Sequence, residues 1–442
     1  MAIRRKTILA VLITLAALGA LVAVAVSVFV DPDRYRPQVI AYLESKTGKQ
    51  IEIGHVGVVW MPLSVRLDDF GTRNPKPFPP GYFFKAKRVD AALDATALLR
   101  RQIVIKSLAL YEPVINVVSD PDGLWNFENP PKKGAQQRQP IFALGVIPEV
   151  EITKAHVLGS SLIDPEDKPG PIVFEARNVS TSLDQVDFDA FTHTGSGPVA
   201  SGDLTADSLR LGAVEATAVR AKLRLLSRQV FFDNVSVTAD RGRANGSLSF
   251  DLSGEKPHFS TNIRLNGLDV AQVLNAFPDG KGKMTGTMGG QVTLAGPIEH
   301  SLNPLEGIHG SGNLTVRNGE LPSLSSNEDM KKMTRFRDPE AALLPPSAFS
   351  SFSSDIALAS QRISSHAISV AFYGVDLDCD GVLGLSSGTL DYQGKVKVLK
   401  KQGFFTNLFA KVAHEAKEEN GRLVFPIRVT GTMLNPKFAV TD

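Results

Sequence analysis

Hydrophobic positions first run unbroken by charge, from Ile8 to Val30. The run of roughly 23 residues is long enough to cross a hydrocarbon core of about 30 Å with some tilt. Ile8, Leu12, Leu15, Leu18, Leu21 and Val30 therefore mark a candidate membrane anchor. Arg4, Arg5 and Lys6 precede it, and Asp31 and Asp33 follow. Positive charge stays on the cytoplasmic side during insertion, so residues 1–7 form a cytoplasmic basic tail and everything after residue 30 is expected outside the cytoplasm. The competing assignment is a cleaved signal peptide, for which Ala23 and Ala25 offer a site. Such peptides carry an apolar core of only about 7 to 15 residues, and Val28, Phe29 and Val30 make a poor cleavage flank. No second run of comparable length occurs, which predicts a single crossing.

Beyond the run the pattern changes. Asp33 to Lys46 places Tyr35, Val39, Ile40 and Leu43 at helical spacing, with Gly48 as a stop. From Gln50 the period becomes two, as in Ile51 and Ile53, Val65 and Leu67, and Val89, Ala91 and Leu93, with turn residues between. Asp94 caps a predicted helical turn to Leu99, before strands at Ile103 to Ile105 and Val114 to Val118. Residues 129–140, with Pro130-Pro131 and Lys132-Lys133, are expected to be a flexible loop. They separate a helix-plus-strand region, 31–128, from a β-rich remainder, 141–442.

In that remainder a glycine, one residue and an apolar residue repeatedly open an alternating stretch, as at Gly246-Ser247-Leu248, Gly286-Thr287-Met288, Gly312-Asn313-Leu314, Gly381-Val382-Leu383 and Gly431-Thr432-Met433. The spacing is irregular, which excludes a fixed-period solenoid and predicts a long, mostly antiparallel meander. Three interruptions read as helices: Asp269 to Phe277, Asn327 to Phe336, and an amphipathic stretch near 404–416. The last puts Phe405, Leu408, Phe409 and Val412 on one face. It is expected either to cover an open end of the sheet or to dock a partner.

Composition narrows the function classes. Charged residues are 21% of the 442 and the net charge is +2, without the basic excess that nucleic-acid binding requires. With 6 Tyr and 2 Trp there is little aromatic girdle for an outer-membrane barrel. The histidines are scattered without the spacing of a zinc site. Asp376-Leu377-Asp378-Cys379-Asp380-Gly381 copies half a calcium loop, but its twelfth position is Ser387 where a bidentate Glu belongs. On a strand the same alternation turns Val375, Leu377 and Cys379 inward and the three aspartates to water. Residues 276–283 fail phosphate-loop spacing, no Gly-x-Ser-x-Gly elbow occurs, and Cys379, the one cysteine, sits in an acidic apolar strand that would raise its pKa. No catalytic residue, metal or cofactor is therefore expected.

The first 130 residues resemble the AsmA family of Gram-negative envelope proteins. The matching pieces are the apolar anchor, Asp33-Arg34-Tyr35-Arg36-Pro37-Gln38 to Ile51-Glu52-Ile53, Ala97-Leu98-Leu99-Arg100 before Ile103-Val104-Ile105, Tyr111-Glu112-Pro113-Val114-Ile115-Asn116-Val117, and Asp122-Gly123-Leu124-Trp125-Asn126-Phe127. Phe425-Pro426-Ile427-Arg428-Val429-Thr430-Gly431-Thr432 and Asn435-Pro436-Lys437-Phe438 look like the family's closing strands. The resemblance implies a bacterial inner-membrane anchor and an elongated, curved periplasmic β-sheet with an apolar groove. It also implies a part in outer-membrane lipid homeostasis or assembly, with phospholipid, the inner membrane and other envelope proteins as partners. Leu248, Phe250, Leu252, Ile263 and Leu265 are candidates to line such a groove; in a closed sandwich they would be ordinary core. A scaffold for outer-membrane protein assembly and a membrane-anchored hydrolase are the alternative functions.

Overall fold

The computed structural model describes residues 31–440 apart from 101, 120–125, 127–145, 163–168, 188–197, 212–213, 227–228, 240–241, 252–256, 276–281, 299–306, 327, 329–330, 332–336, 338, 400–416 and 433–434. The candidate anchor lies outside these residues, as do Leu252 and the helix expected near 404–416. The helix expected over Asn327 to Phe336 lies largely outside them. Among the described residues no helix is long and apolar enough to cross a membrane. The chain is mainly β: among the described residues 22 strands join a mixed sheet, with few and short helices. Contacts divide it into two compact units, residues 1–206 and 207–442.

In the first unit a 3-10 turn, Pro32–Tyr35, leads into α1 (Arg36–Thr47), which ends at Gly48 with φ +66°, a left-handed conformation natural to glycine. Val39, Ile40 and Leu43 pack on Ile51, Ile53 and Val56, as their spacing predicts. Tyr35 instead falls in the 3-10 turn and is half exposed. Strands β1 (Ile51–Glu52) and β2 (His55–Trp60) pair successively along β3 (Leu63–Arg73), which pairs with β4 (Tyr82–Leu93). Asp94 caps α2 (Ala95–Leu99), accepting the N–H groups of Thr96 and Ala97. Strand β5 (Ile105–Tyr111) begins two residues later than the sequence suggests, because its partner β4 ends at Leu93, opposite Ile105, where Asp94 turns the chain into α2.

Strands β5 and β6 (Val114–Ser119) share one edge of β4, interrupted at Glu112-Pro113 where Glu112 has φ +49°. Both then pair in parallel with β7 (Val146–Leu162). This departs from a simple meander. Parallel neighbours need a long connection, and residues 120–145 supply one. Strand β7 pairs antiparallel with β8 (Pro169–Asp187), and β9 (Pro198–Leu211) follows. Asn126 is 0% exposed and its side chain ties this region together. Its Oδ1 accepts the Val118 N–H at 3.1 Å, and its Nδ2 donates to the Asn116 carbonyl at 2.7 Å and to Asn74 Oδ1 at 3.0 Å.

The second unit is the meander that the alternation predicts. Strands β10 (Val214–Leu226), β11 (Gln229–Ala239), β12 (Gly242–Asp251), β13 (His258–Asp269), β14 (Thr285–Pro297) and β15 (His309–Glu320) each pair antiparallel with the next. The series continues through β16 (Ala348–Ala359), β17 (Arg362–Ala371), β18 (Val375–Gly384) and β19 (Thr389–Leu399). Strand β19 pairs with β21 (Arg422–Thr432), whose other edge takes the short β20 (Lys417–Glu419) and then β22 (Asn435–Val440). Between β13 and β14 sits α3 (Val270–Asn275), whose Val270, Val273 and Leu274 join the apolar cluster of this unit.

Candidate functional site

Because side chains alternate across a strand, the pairing register of the second unit decides which residues share a face. Consecutive partners form apolar rows: Val316, Phe352, Val370, Leu377, Val396 and Phe425 in one, and Ile363, Leu383, Leu390 and Gly431 in another. Between them Ser365, Gly381, Tyr392, Val429 and Phe438 make a third. The opposite face carries Ser353, Ser369, Asp378, Lys397 and their like. One side of these strands is oily and the other is hydrophilic.

On the oily side lies a cavity of about 350 Å³, walled by β15 to β19, β21 and β22 and by the Leu321–Leu324 segment. Its wall is almost wholly aliphatic and aromatic. The polar side chains that reach it are Lys283, Ser354, Ser365 and Tyr392, together with the Cys379 thiol. Ser354 is buried and donates to the Asp355 carbonyl at 3.1 Å, while Ser365 and Tyr392 share a long hydrogen bond of 3.5 Å. Burial raises the Tyr392 pKa, and burial followed by the charges of Asp380 and Asp378 pushes the Cys379 thiol up to about 12. Both groups stay protonated at neutral pH, so neither supplies a nucleophile or a charge. The space suits a ligand recognised by apolar contact, and its size falls in the range of small-ligand pockets.

Glycine makes the close strand approach on this face possible. A Cβ on Gly290, which has φ +143°, would strike the Asn313 carbonyl of the next strand, and one on Gly394 would strike that of Asp378. Of the recurring strand-opening glycines, Gly312 and Gly381 are placed alike: a Cβ would strike the carbonyls of Gln291 and Asp391 on the neighbouring strands.

The Asp376, Asp378 and Asp380 carboxylates lie on β18 and face away from the cavity, as strand alternation requires. Asp376 pairs with Arg422, Asp378 with Lys397 at 2.7 Å, and Asp380 accepts the Ala367 N–H at 2.7 Å. Burial pushes the Asp378 pKa up, but the hydrogen bonds from Lys397 and Ser369 outweigh it and leave the carboxyl below its ordinary value. These aspartates are occupied in holding strands together.

Of the candidate groove residues, Leu248 and Phe250 on β12 and Ile263 and Leu265 on β13 share one half-buried face. Phe250 meets Phe232 edge-on at 6.2 Å, and Leu265 packs on the apolar cluster that also supplies much of the cavity wall. None of the four lines the cavity itself, which lies further along the chain. The sequence did carry a signal for it: the alternation of Val375, Leu377 and Cys379 and the closing-strand residues Ile427, Val429 and Phe438 all contribute to its wall. The candidate docking residues Phe405, Leu408, Phe409 and Val412 lie outside the described residues.

Residues 1–155 match the family model described as the AsmA family. The matched stretch ends before the unit that holds the cavity. No curated protein matches the chain.

Proposed function

We propose that this chain, whose first 155 residues match the AsmA family, shelters phospholipid acyl chains on the apolar face of its second unit. It does so without catalysing a reaction. The observation that carries this reading is the 350 Å³ cavity, walled by aliphatic and aromatic side chains and backed by a hydrophilic opposite face. Each methylene removed from water contributes about 0.8 kcal/mol, so roughly ten of them bring about 8 kcal/mol before the entropy of ordering is subtracted. Headgroups remain in water. Cys379 and Tyr392 are held protonated and Ser354 donates to a backbone carbonyl, which supports carriage over hydrolysis. The uncharged run from Ile8 to Val30, with its basic flank, supports attachment to the inner membrane with the β-rich body in the periplasm. There the chain would take part in outer-membrane lipid homeostasis.

The test is mass spectrometry of lipid that co-purifies with the full chain in mild detergent, compared with a Leu383→Glu variant. Leu383 is half-buried in the cavity wall, so a carboxylate there opposes acyl chains while the fold survives. Wild type should carry phospholipid and the variant should lose most of it at nearly unchanged melting temperature. A lipid-free, folded wild type would exclude the reading and favour a purely scaffolding role.

A further inference from the structure

At one end of the first unit, two turns expose large apolar side chains. Met61 is 93% exposed, Leu99 87% and Ile103 64%, and Trp60, Leu98 and Val104 are each exposed by more than a third. Strand register brings them to the same end. Trp60 pairs with Leu63, Ser64 with Ala92, and Leu93 with Ile105, while the Asp94 N–H reaches the Val104 carbonyl at 2.9 Å. The acid at this end is engaged: Asp94 caps α2 and lies 3.2 Å from Lys106. Arg100 is exposed, with no carboxylate partner among the described residues. An apolar patch with a cationic rim marks an interaction surface.

The chain's direction identifies the occupant. The Asp33 carboxylate accepts the Val56 N–H at 2.9 Å, and further along α1 the Glu44 carboxylate accepts the Ile51 N–H at 3.0 Å. Helix α1 therefore runs from the level of Val56 back to that of Ile51, opposite to the direction in which β1 and β2 lead to Trp60. Its start is turned toward the exposed patch. Val56 and Trp60 are four strand residues apart, about 13 Å. The uncharged run ends at Val30, so Asp31, the first charged residue after it, stands at the outer surface of whatever bilayer holds that run. Interfacial layers are each roughly 5 to 8 Å deep, so a patch about 13 Å beyond the level of Asp33 and Val56, on the run's side, reaches them.

We infer that Trp60, Met61, Leu98, Leu99, Ile103 and Val104 rest in the surface of the bilayer that holds residues 8–30, with Arg100 toward its phosphates. Amphipathic aromatic and long apolar side chains belong at that depth, and cations there are drawn to anionic headgroups. The inference rests on the anchor reading and adds a second attachment, which fixes how the first unit stands on the membrane.

The test uses the full chain reconstituted into phosphatidylethanolamine–phosphatidylglycerol vesicles, with an environment-sensitive fluorophore on Met61→Cys or, as control, on Lys87→Cys. Lys87 is well exposed, and the buried Cys379 remains unlabelled. Doxyl-labelled lipid should abolish most emission at position 61 and leave position 87 unaffected. Adding Leu99→Asp and Ile103→Asp should restore emission at 61 while the protein still floats with the vesicles. Equal emission at both positions in floating protein overturns the inference and leaves the anchor intact. Cross-linking of position 61 to a second copy or another protein in place of lipid overturns it equally. Failure to float removes the anchor reading, and this inference with it.

Discussion

Gly394 stands directly across from Cys379 on the neighbouring strand, and a Cβ added to it would lie 2.5 Å from the Cys379 Cβ. The same Cβ would strike the Asp378 carbonyl oxygen, which cannot swing away as a flexible side chain could. Gly394→Ala should therefore destabilise the full chain by about 2 kcal/mol or more, read as a lowered urea midpoint at unchanged slope. A loss of only a few tenths would mean that these strands have slack.

Asn126 closes a network in which its side chain bonds Val118, Asn116 and Asn74. Asn126→Ala removes those bonds and leaves the buried Val118 N–H without its side-chain acceptor, so the expected cost is about 3 kcal/mol. Asn126→Asp should be at least as damaging, because a carboxylate would face the Asn116 carbonyl where a donor now sits. An Asp variant more stable than the Ala variant would contradict this hydrogen-bond assignment.

Cys379 is buried and its thiol is pushed up to about 12, with burial the leading cause. The thiolate is the reactive form. The folded chain should remain unmodified by a maleimide at neutral pH and take up one equivalent once denatured. Rapid labelling of folded protein would mean that the cavity wall opens readily.

Asp378 has a folded-state pKa below its ordinary value, so it contributes stability that is present above the usual carboxylate range and lost as pH falls through the folded value. Wild type should melt slightly above Asp378→Asn at neutral pH, and the two should converge as the solution becomes strongly acidic. The gap should be small because the Lys397 pair is more than a third exposed on both sides. A gap that widens in acid would reverse the sign of the proposed linkage.

The sequence was most informative where a single period governs a segment. Alternation through Asp376 to Asp380 located both faces of β18, and Asp94 announced α2 because a side-chain oxygen there has only the first helical N–H groups to serve. Ile103 was assigned to a strand two residues too early, since local pattern does not reveal that the partner strand β4 ends at Leu93. The parallel pairing of β5 and β6 with β7 is a non-local choice, decided by how the long connection returns. Leu248 and Ile263 fall on the predicted apolar face, yet the cavity forms elsewhere, where bulky residues oppose glycines in register. That coincidence depends on alignment between strands, which no single segment encodes.

From β10 to β19 each strand of the second unit bonds to its sequence neighbours, so interactions there are nearest-neighbour in kind. Such an array behaves as a modular ruler. Inserting or excising one hairpin would lengthen or shorten it by about 10 Å, two strand spacings, and restore the alternation of directions without disturbing strands further along. Paralogues of different length could then arise by whole-hairpin gain and loss, each step conserving the oily and hydrophilic sides. Loss of a single strand would reverse the direction of every later one and exchange the ends of the sheet at which its loops emerge.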